Sequence, residues 1–78
     1  MSDRVNSLKQ RLIDHPIYKA ADSDLQLQDK LEQLKDLAMQ KAIAVENQDI
    51  PDDEKTLQIS AIGDATETQF QAQIGISF

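Results

Sequence analysis

One histidine, His15, sits directly before Pro16, and the chain has no cysteine that could join it as a nucleophile or zinc ligand. Histidine catalysis needs a nucleophile or substrate within hydrogen-bond reach, and no second histidine or Ser–Asp arrangement can be tied to His15 by spacing. A structural role beside the proline is expected. The acidic run Asp49, Asp52, Asp53 and Glu54 has the charge of a calcium loop without its spacing. Counted from Asp49, the sixth residue is Glu54 where glycine is needed, and the twelfth is Ser60 where glutamate is needed. Gly63 and Gly75 are isolated, so no phosphate-cradling loop can be drawn. Lys30 and Lys41 share one helical direction, but Asp29, Glu32 and Asp36 crowd the same segment. The aromatic residues available for base stacking are Tyr18, Phe70 and Phe78. No catalytic, cofactor-binding or metal-binding residue is assigned, and the expected role is non-enzymatic and free of cofactors.

The 78 residues suit one small domain, 1–78, whose core is limited because a chain this short buries only about 60 to 65 per cent of its unfolded surface. Without disulfides, extra stability must come from oligomerisation or a permanent partner. Charge is unevenly spread. Residues 1–47 hold seven Lys/Arg against eight Asp/Glu, whereas residues 48–78 hold one, Lys55, against six. An acidic second half repels phosphate backbones, which argues against direct nucleic-acid binding. No secretory signal is visible at MSDRVNSLKQ, and nowhere do 18 apolar residues run together, so no membrane contact and a cytoplasmic location are expected.

The elements that must position any site are read from hydrophobic spacing. Val5, Leu8 and Leu12 predict a helix over 3–14, stopped near Pro16, with Ile17 and Tyr18 covering a corner. Ser23 and Gln26 have capping-box spacing and open a long helix, 23–46, whose stripe runs through Leu27, Leu31, Leu34, Ala38, Ala42 and Val45. Leu25, Met39 and Ile43 form a thinner second stripe. An acidic linker, 47–55, follows. Leu57, Ile59 and Ala61 then alternate with polar residues, a polar turn spans Asp64 to Glu67, and Phe70, Ala72, Ile74, Ile76 and Phe78 alternate to the end. This predicts a β-hairpin over 56–78 and an α+β fold, an N-terminal helical hairpin followed by a C-terminal antiparallel β-hairpin. The competing assignment is a third helix from Pro51 to a Gly63 C-cap.

Over Phe70 to Phe78 the pattern resembles the last strand of bacterial outer-membrane barrel proteins, but a barrel needs eight or more strands and this reading supplies two. The uncharged final strand lacks the lysines and prolines that blunt exposed edges, so it is expected to pair with another polypeptide. The function expected from sequence is a protein-protein interaction or assembly module, a homo-oligomer or a subunit of a larger complex. Its contacts would be the strand residues Phe70, Ala72, Ile74, Ile76 and Phe78 and the helix face Leu25, Met39 and Ile43. Asp49, Asp52, Asp53 and Glu54 would set charge specificity. The second class is a small acidic inhibitor that mimics nucleic-acid charge and blocks a basic surface of its target.

Overall fold

A computed structural model describes residues 3–77, with side chains described through Ile74. Among the described residues there are four α-helices and no strand: α1 (Asp3–Ile13), α2 (Pro16–Ala20), α3 (Leu25–Glu46) and α4 (Asp52–Ser77), with a 3-10 turn (Ala21–Ser23) between α2 and α3. The expected β-hairpin is therefore corrected. Residues 56–77 belong to one helix, the domain is all-helical instead of α+β, and Phe78 lies outside the described residues.

The physical reason lies in what α4 buries. Its core positions are Ile59, Gly63, Thr66 and Phe70, at steps of four, three and four, which is helical period. Two of the four carry no large apolar side chain, so the stripe is nearly invisible to hydropathy. Conversely, the alternating residues do not share a face. Leu57 is 71% exposed and Ala61 and Ala72 are exposed, while Ile59 is buried and Ile74 half-buried.

Local chemistry sets the helix ends. Pro16 supplies the first residue of α2, and His15 Nδ1 accepts from the Ile17 amide at 3.2 Å, which gives the single histidine its structural use as an N-cap. At α3 the cap is Asp24 and not Ser23; its Oδ1 accepts from the Leu27 amide at 3.2 Å. The α3–α4 connection is shorter than the expected linker. Asp52, Asp53 and Glu54 form the first turn of α4, where their charge complements the helix dipole. Lys55 reaches back, and its Nζ donates to the Glu46 carbonyl at 2.8 Å, closing the end of α3.

α3 and α4 form a long antiparallel hairpin, and α1 packs into the groove between them, running parallel to α4. The core holds Val5, Leu8 and Leu12 from α1, Ala21 from the turn, Leu31, Ala38, Ala42 and Val45 from α3, and Ile59 and Phe70 from α4. The domain is a rod of 42 × 20 × 16 Å, its length close to the roughly 39 Å expected of a 26-residue helix. Thr66 is buried at 4% exposure without penalty, because its Oγ1 donates to the Ile62 carbonyl at 2.7 Å and leaves its methyl group for the core.

Candidate interaction surfaces

Two arginines on α1, two helical turns apart, define the main surface feature. Arg4 and Arg11 are separated by seven residues, about 10.5 Å along a helix, and so project on the same side. Arg4 makes a fork with Glu46, Nε to Oε1 at 2.5 Å and Nη2 to Oε2 at 3.1 Å, and its Nη2 lies 3.5 Å from Asp52. Arg11 Nη2 donates to Asp64 at 2.5 Å and Glu67 at 2.6 Å, while Nη1 donates to the Ser60 carbonyl at 3.4 Å. Both guanidiniums are held protonated above their ordinary value, Arg4 chiefly by its hydrogen bond with Glu46 and Arg11 chiefly by that with Glu67. These pairs pin α1 to the α3–α4 hairpin at both ends.

Between the two pairs lies a half-open cleft of about 340 Å³ between α1 and α4. Leu8 and Ile59, 3% and 4% exposed, form its floor. Ser7, Thr56 and Ser60 line its mouth, and Asp3, Arg4 and Arg11 flank it. Its exposed surface is mostly apolar, although six of the eight lining residues are polar or charged. A dry cavity of about 150 Å³ takes one benzene-sized body, so this cleft has room for about two apolar side chains. At each end one guanidinium faces two carboxylates.

The residues expected from sequence to bind partners are dispersed. Phe70 is fully buried, Ala72 is exposed and Ile74 half-buried on α4, so they offer no strand edge; the Ile76 side chain and Phe78 lie outside the described residues. Leu25 is 78% exposed and Ile43 42% exposed, but they stand near opposite ends of α3, about 27 Å apart along the helix. Met39 between them is partly withdrawn against the core. Asp49, Asp52, Asp53 and Glu54 are all exposed, and Asp52 is the one beside Arg4. Leu37 and Leu57 are further exposed aliphatic residues, and a smaller depression of about 230 Å³ runs between α3 and α4 past Lys41, Ala61 and Ala65. Sequence reasoning missed Arg4, Ser7, Arg11, Thr56 and Ser60. The available signals were the seven-residue spacing of the arginines and the four-residue spacing of the two hydroxyls. The latter has meaning only on a helix.

His15 serves the scaffold. Its ring meets Phe70 edge-on at 5.6 Å, and Nε2 stands 3.9 Å from Glu67. Among the described residues, no group of three or more His, Cys, Asp or Glu is placed to hold a metal ion, and no helix is long and apolar enough to cross a membrane.

A second polar cluster joins α2 to α3. The Tyr18 hydroxyl donates to Glu32, and Lys35 Nζ donates to the same carboxylate at 2.8 Å. Glu32 is held below its ordinary value, first by Lys35 and then by Tyr18; burial, followed by the Glu32 hydrogen bond, raises Tyr18. Because the folded Glu32 binds its proton more weakly than the unfolded one, its contribution to stability is present above about pH 4.5 and is lost as pH falls through the folded value. The gain is modest, since the Glu32 side chain is 46% exposed. A carboxyl-detected NMR titration is expected to give Glu32 a higher midpoint in Lys35→Met than in wild type. Coincident midpoints would show that Lys35 is not the cause.

Comparison of the chain with protein families, curated proteins and solved structures gives no significant match.

Proposed function

We propose that the chain is a non-enzymatic protein-interaction module, an adaptor or subunit that offers helix faces to another polypeptide. The observation that carries this reading is the α1–α4 cleft, whose apolar floor of Leu8 and Ile59 is framed by hydroxyls and ion pairs. Leu8 and Ile59 are already withdrawn from water, so the gain on docking, at about 25 cal/mol per Å² of apolar surface removed from water, comes from exposed side chains such as Leu57 on α4. Leu25 and Ile43 supply further contacts at the two ends of α3. The charge-mimic alternative is less favoured, because Glu46, Asp64 and Glu67 are engaged by arginines and do not form a free phosphate-like array.

Ser60→Lys places a cation in the cleft mouth at an exposed helical position, so the fold should be retained by circular dichroism. Native mass measurement of the protein from its own source is expected to show a protein partner in fixed stoichiometry with the wild type and to show its loss with Ser60→Lys. A wild-type chain found alone, or a partner retained in full by the variant, would overturn the reading.

A further inference from the structure

We infer that the face of the α3–α4 hairpin turned away from α1 is the contact surface of a homodimer, in which Leu37 of each copy enters the depression between α3 and α4 of the other. The contact is separate from the cleft and stands whether or not the cleft reading does. Gly63 marks the side of α4 that meets α1, since a Cβ there would touch Arg11 and Leu8. Ala61 and Ala65 lie two residues to either side of Gly63, so at about 100° per residue they project about 160° away from α1. On α3 the same face presents Leu37, Lys41 and Ala44, at steps of four and three. All five are exposed, Leu37 at 52%. The depression between the two helices, about 230 Å³, is lined by Lys41, Ala61, Ile62, Ala65, Thr66 and Gln69, of which Thr66 alone is buried. It exceeds the roughly 150 Å³ that takes a benzene-sized body, so it holds one leucine side chain. Both the entering leucine and the walls it covers then leave water.

Two features select a second copy as the occupant. The first is height along the rod. The antiparallel register of α3 and α4 is marked twice: Lys55 bonds the Glu46 carbonyl, and Tyr18 touches both Glu32 and Phe70. Counting from either mark puts Leu37 level with residues 64–65, the middle of the stretch from Ala61 to Gln69 that walls the depression. Knob and hole therefore stand at one height in one chain. A twofold axis parallel to the rods preserves height and lays α3 of each copy along α4 of the other, so both leucines enter both depressions, as an isologous contact requires. A twofold across the rods would set Leu37 on Leu37 and leave both depressions open.

The second feature is charge. Each copy carries −6, yet around the depression the charged residue is Lys41, because Glu32 is turned to Tyr18 and Lys35, and Asp64 and Glu67 to Arg11. Two acidic copies meet here without setting acid on acid, and the Lys41 stem lies along the rim with its ammonium in water. Stacked in register, the rods overlap along 42 Å of length and 16 to 20 Å of width. That outline, about 700–800 Å² per copy, approaches the roughly 800 Å² per partner of a standard interface. With one leucine per copy as its anchor, the dimer is a reversible one in the micromolar range.

Sedimentation of the purified full chain from about 1 μM to about 1 mM is expected to show a rise in mass from 8.8 kDa to twice that value. Leu37→Lys and Ala65→Lys, both at exposed positions, should keep the helical circular dichroism and raise the dimer Kd at least tenfold each. Leu25→Lys, an exposed aliphatic position about 120° around α3 from Leu37, and Ser60→Lys, on the cleft side, should leave the Kd unchanged. Affinity should hold or rise with salt, because the two copies carry like charge. A chain monomeric throughout, a dimer untouched by Leu37→Lys and Ala65→Lys, an equal effect of Leu25→Lys, or affinity that falls with salt would overturn the inference. Loss of the dimer with Ser60→Lys would place the second copy at the cleft and overturn it too, as would a different protein displaced from the native complex by Leu37→Lys. Each of these results is separable from failure of the cleft reading, which is judged by the response of a bound partner to Ser60→Lys.

Discussion

Phe70→Ala is expected to destabilise the domain by about 3–5 kcal/mol, a large share of the roughly 4–12 kcal/mol available to a chain of this size. Among the described residues Phe70 is the largest fully buried side chain. Its ring packs edge-on against His15 at 5.6 Å and tilted against Tyr18 at 6.0 Å, so one residue of α4 holds the corner between α1 and α3. Helix α2 buries no residue completely and depends on Ile17 and Tyr18 resting against this ring and its neighbours. Truncation leaves a void that a five-residue helix pinned between two longer ones cannot collapse to fill. In thermal melts followed at 222 nm, the midpoint is expected to drop by roughly 12 °C or more. Phe70→Leu, which keeps much of the volume, should lose clearly less. An alanine variant within about 1 kcal/mol of wild type would mean that α4 does not enter the core at this position.

Phe70 also shows why the sequence misleads about this segment. In α1 and α3 the fully buried positions hold Val, Leu or Ala, from Val5, Leu8 and Leu12 through Leu31, Ala38, Ala42 and Val45, and the helical period stands in plain view. In α4 the buried face is Ile59, Gly63, Thr66, Phe70. Its two middle members read as a turn and a polar residue, while Leu57, Ala61, Ala65 and Ala72 place apolar character on the exposed side. Hydropathy therefore points away from the true face, and the β-branched residues and terminal alternation supply a false period of two. Tertiary packing overrides this local preference, since α4 gains its stability by closing the hydrophobic groove of α1 and α3.

The candidate site was illegible for a related reason. A cleft belongs to a pair of helices, and three of its eight lining residues, Thr56, Ile59 and Ser60, fall in residues that the sequence reading assigns to the β-hairpin. On a strand Ile59 and Ser60 would face opposite sides; on α4 a floor residue and a rim residue stand side by side. Arg4 and Arg11 were readable as sharing a face of α1, but their partners Glu46, Asp52, Asp64 and Glu67 come from up to 56 residues away. These clusters of one arginine and two carboxylates emerge only when three helices meet. What did carry through was the net acidity of the second half and the exposure of Leu25 and Ile43, features that depend on composition and single positions instead of register.

Gly63→Val is expected to destabilise the protein by about 2–3 kcal/mol through overpacking and to distort the cleft at the same time. Gly63 lies buried inside α4 with no positive φ, so its value is space and not backbone freedom. A Cβ built there would stand 2.5 Å from Arg11 Nη1, 3.0 Å from Arg11 Cζ and 3.0 Å from Leu8 Cδ1. Alanine gains about 1 kcal/mol of helix propensity, offset by displacement of a guanidinium that Asp64 and Glu67 hold in place, so Gly63→Ala should stay within about 1 kcal/mol of wild type. Valine adds two methyl groups that a shift of the Arg11 tip cannot clear, and the load passes to Leu8 and the axis of α1. Trimming that contact in the double variant Gly63→Val/Leu8→Ala is expected to give a loss smaller than the two single losses added, by about 0.5 kcal/mol or more. Strict additivity in urea titrations, or a valine variant as stable as the alanine one, would show that α1 does not approach this closely. Because Leu8 and Arg11 line the cleft, the side chain missing at Gly63 also sets how far α1 and α4 stand apart at that end. Gly63→Val should therefore weaken partner binding beyond what its fraction unfolded explains, whereas Phe70→Ala, acting at the far corner, should weaken it only in proportion to unfolding.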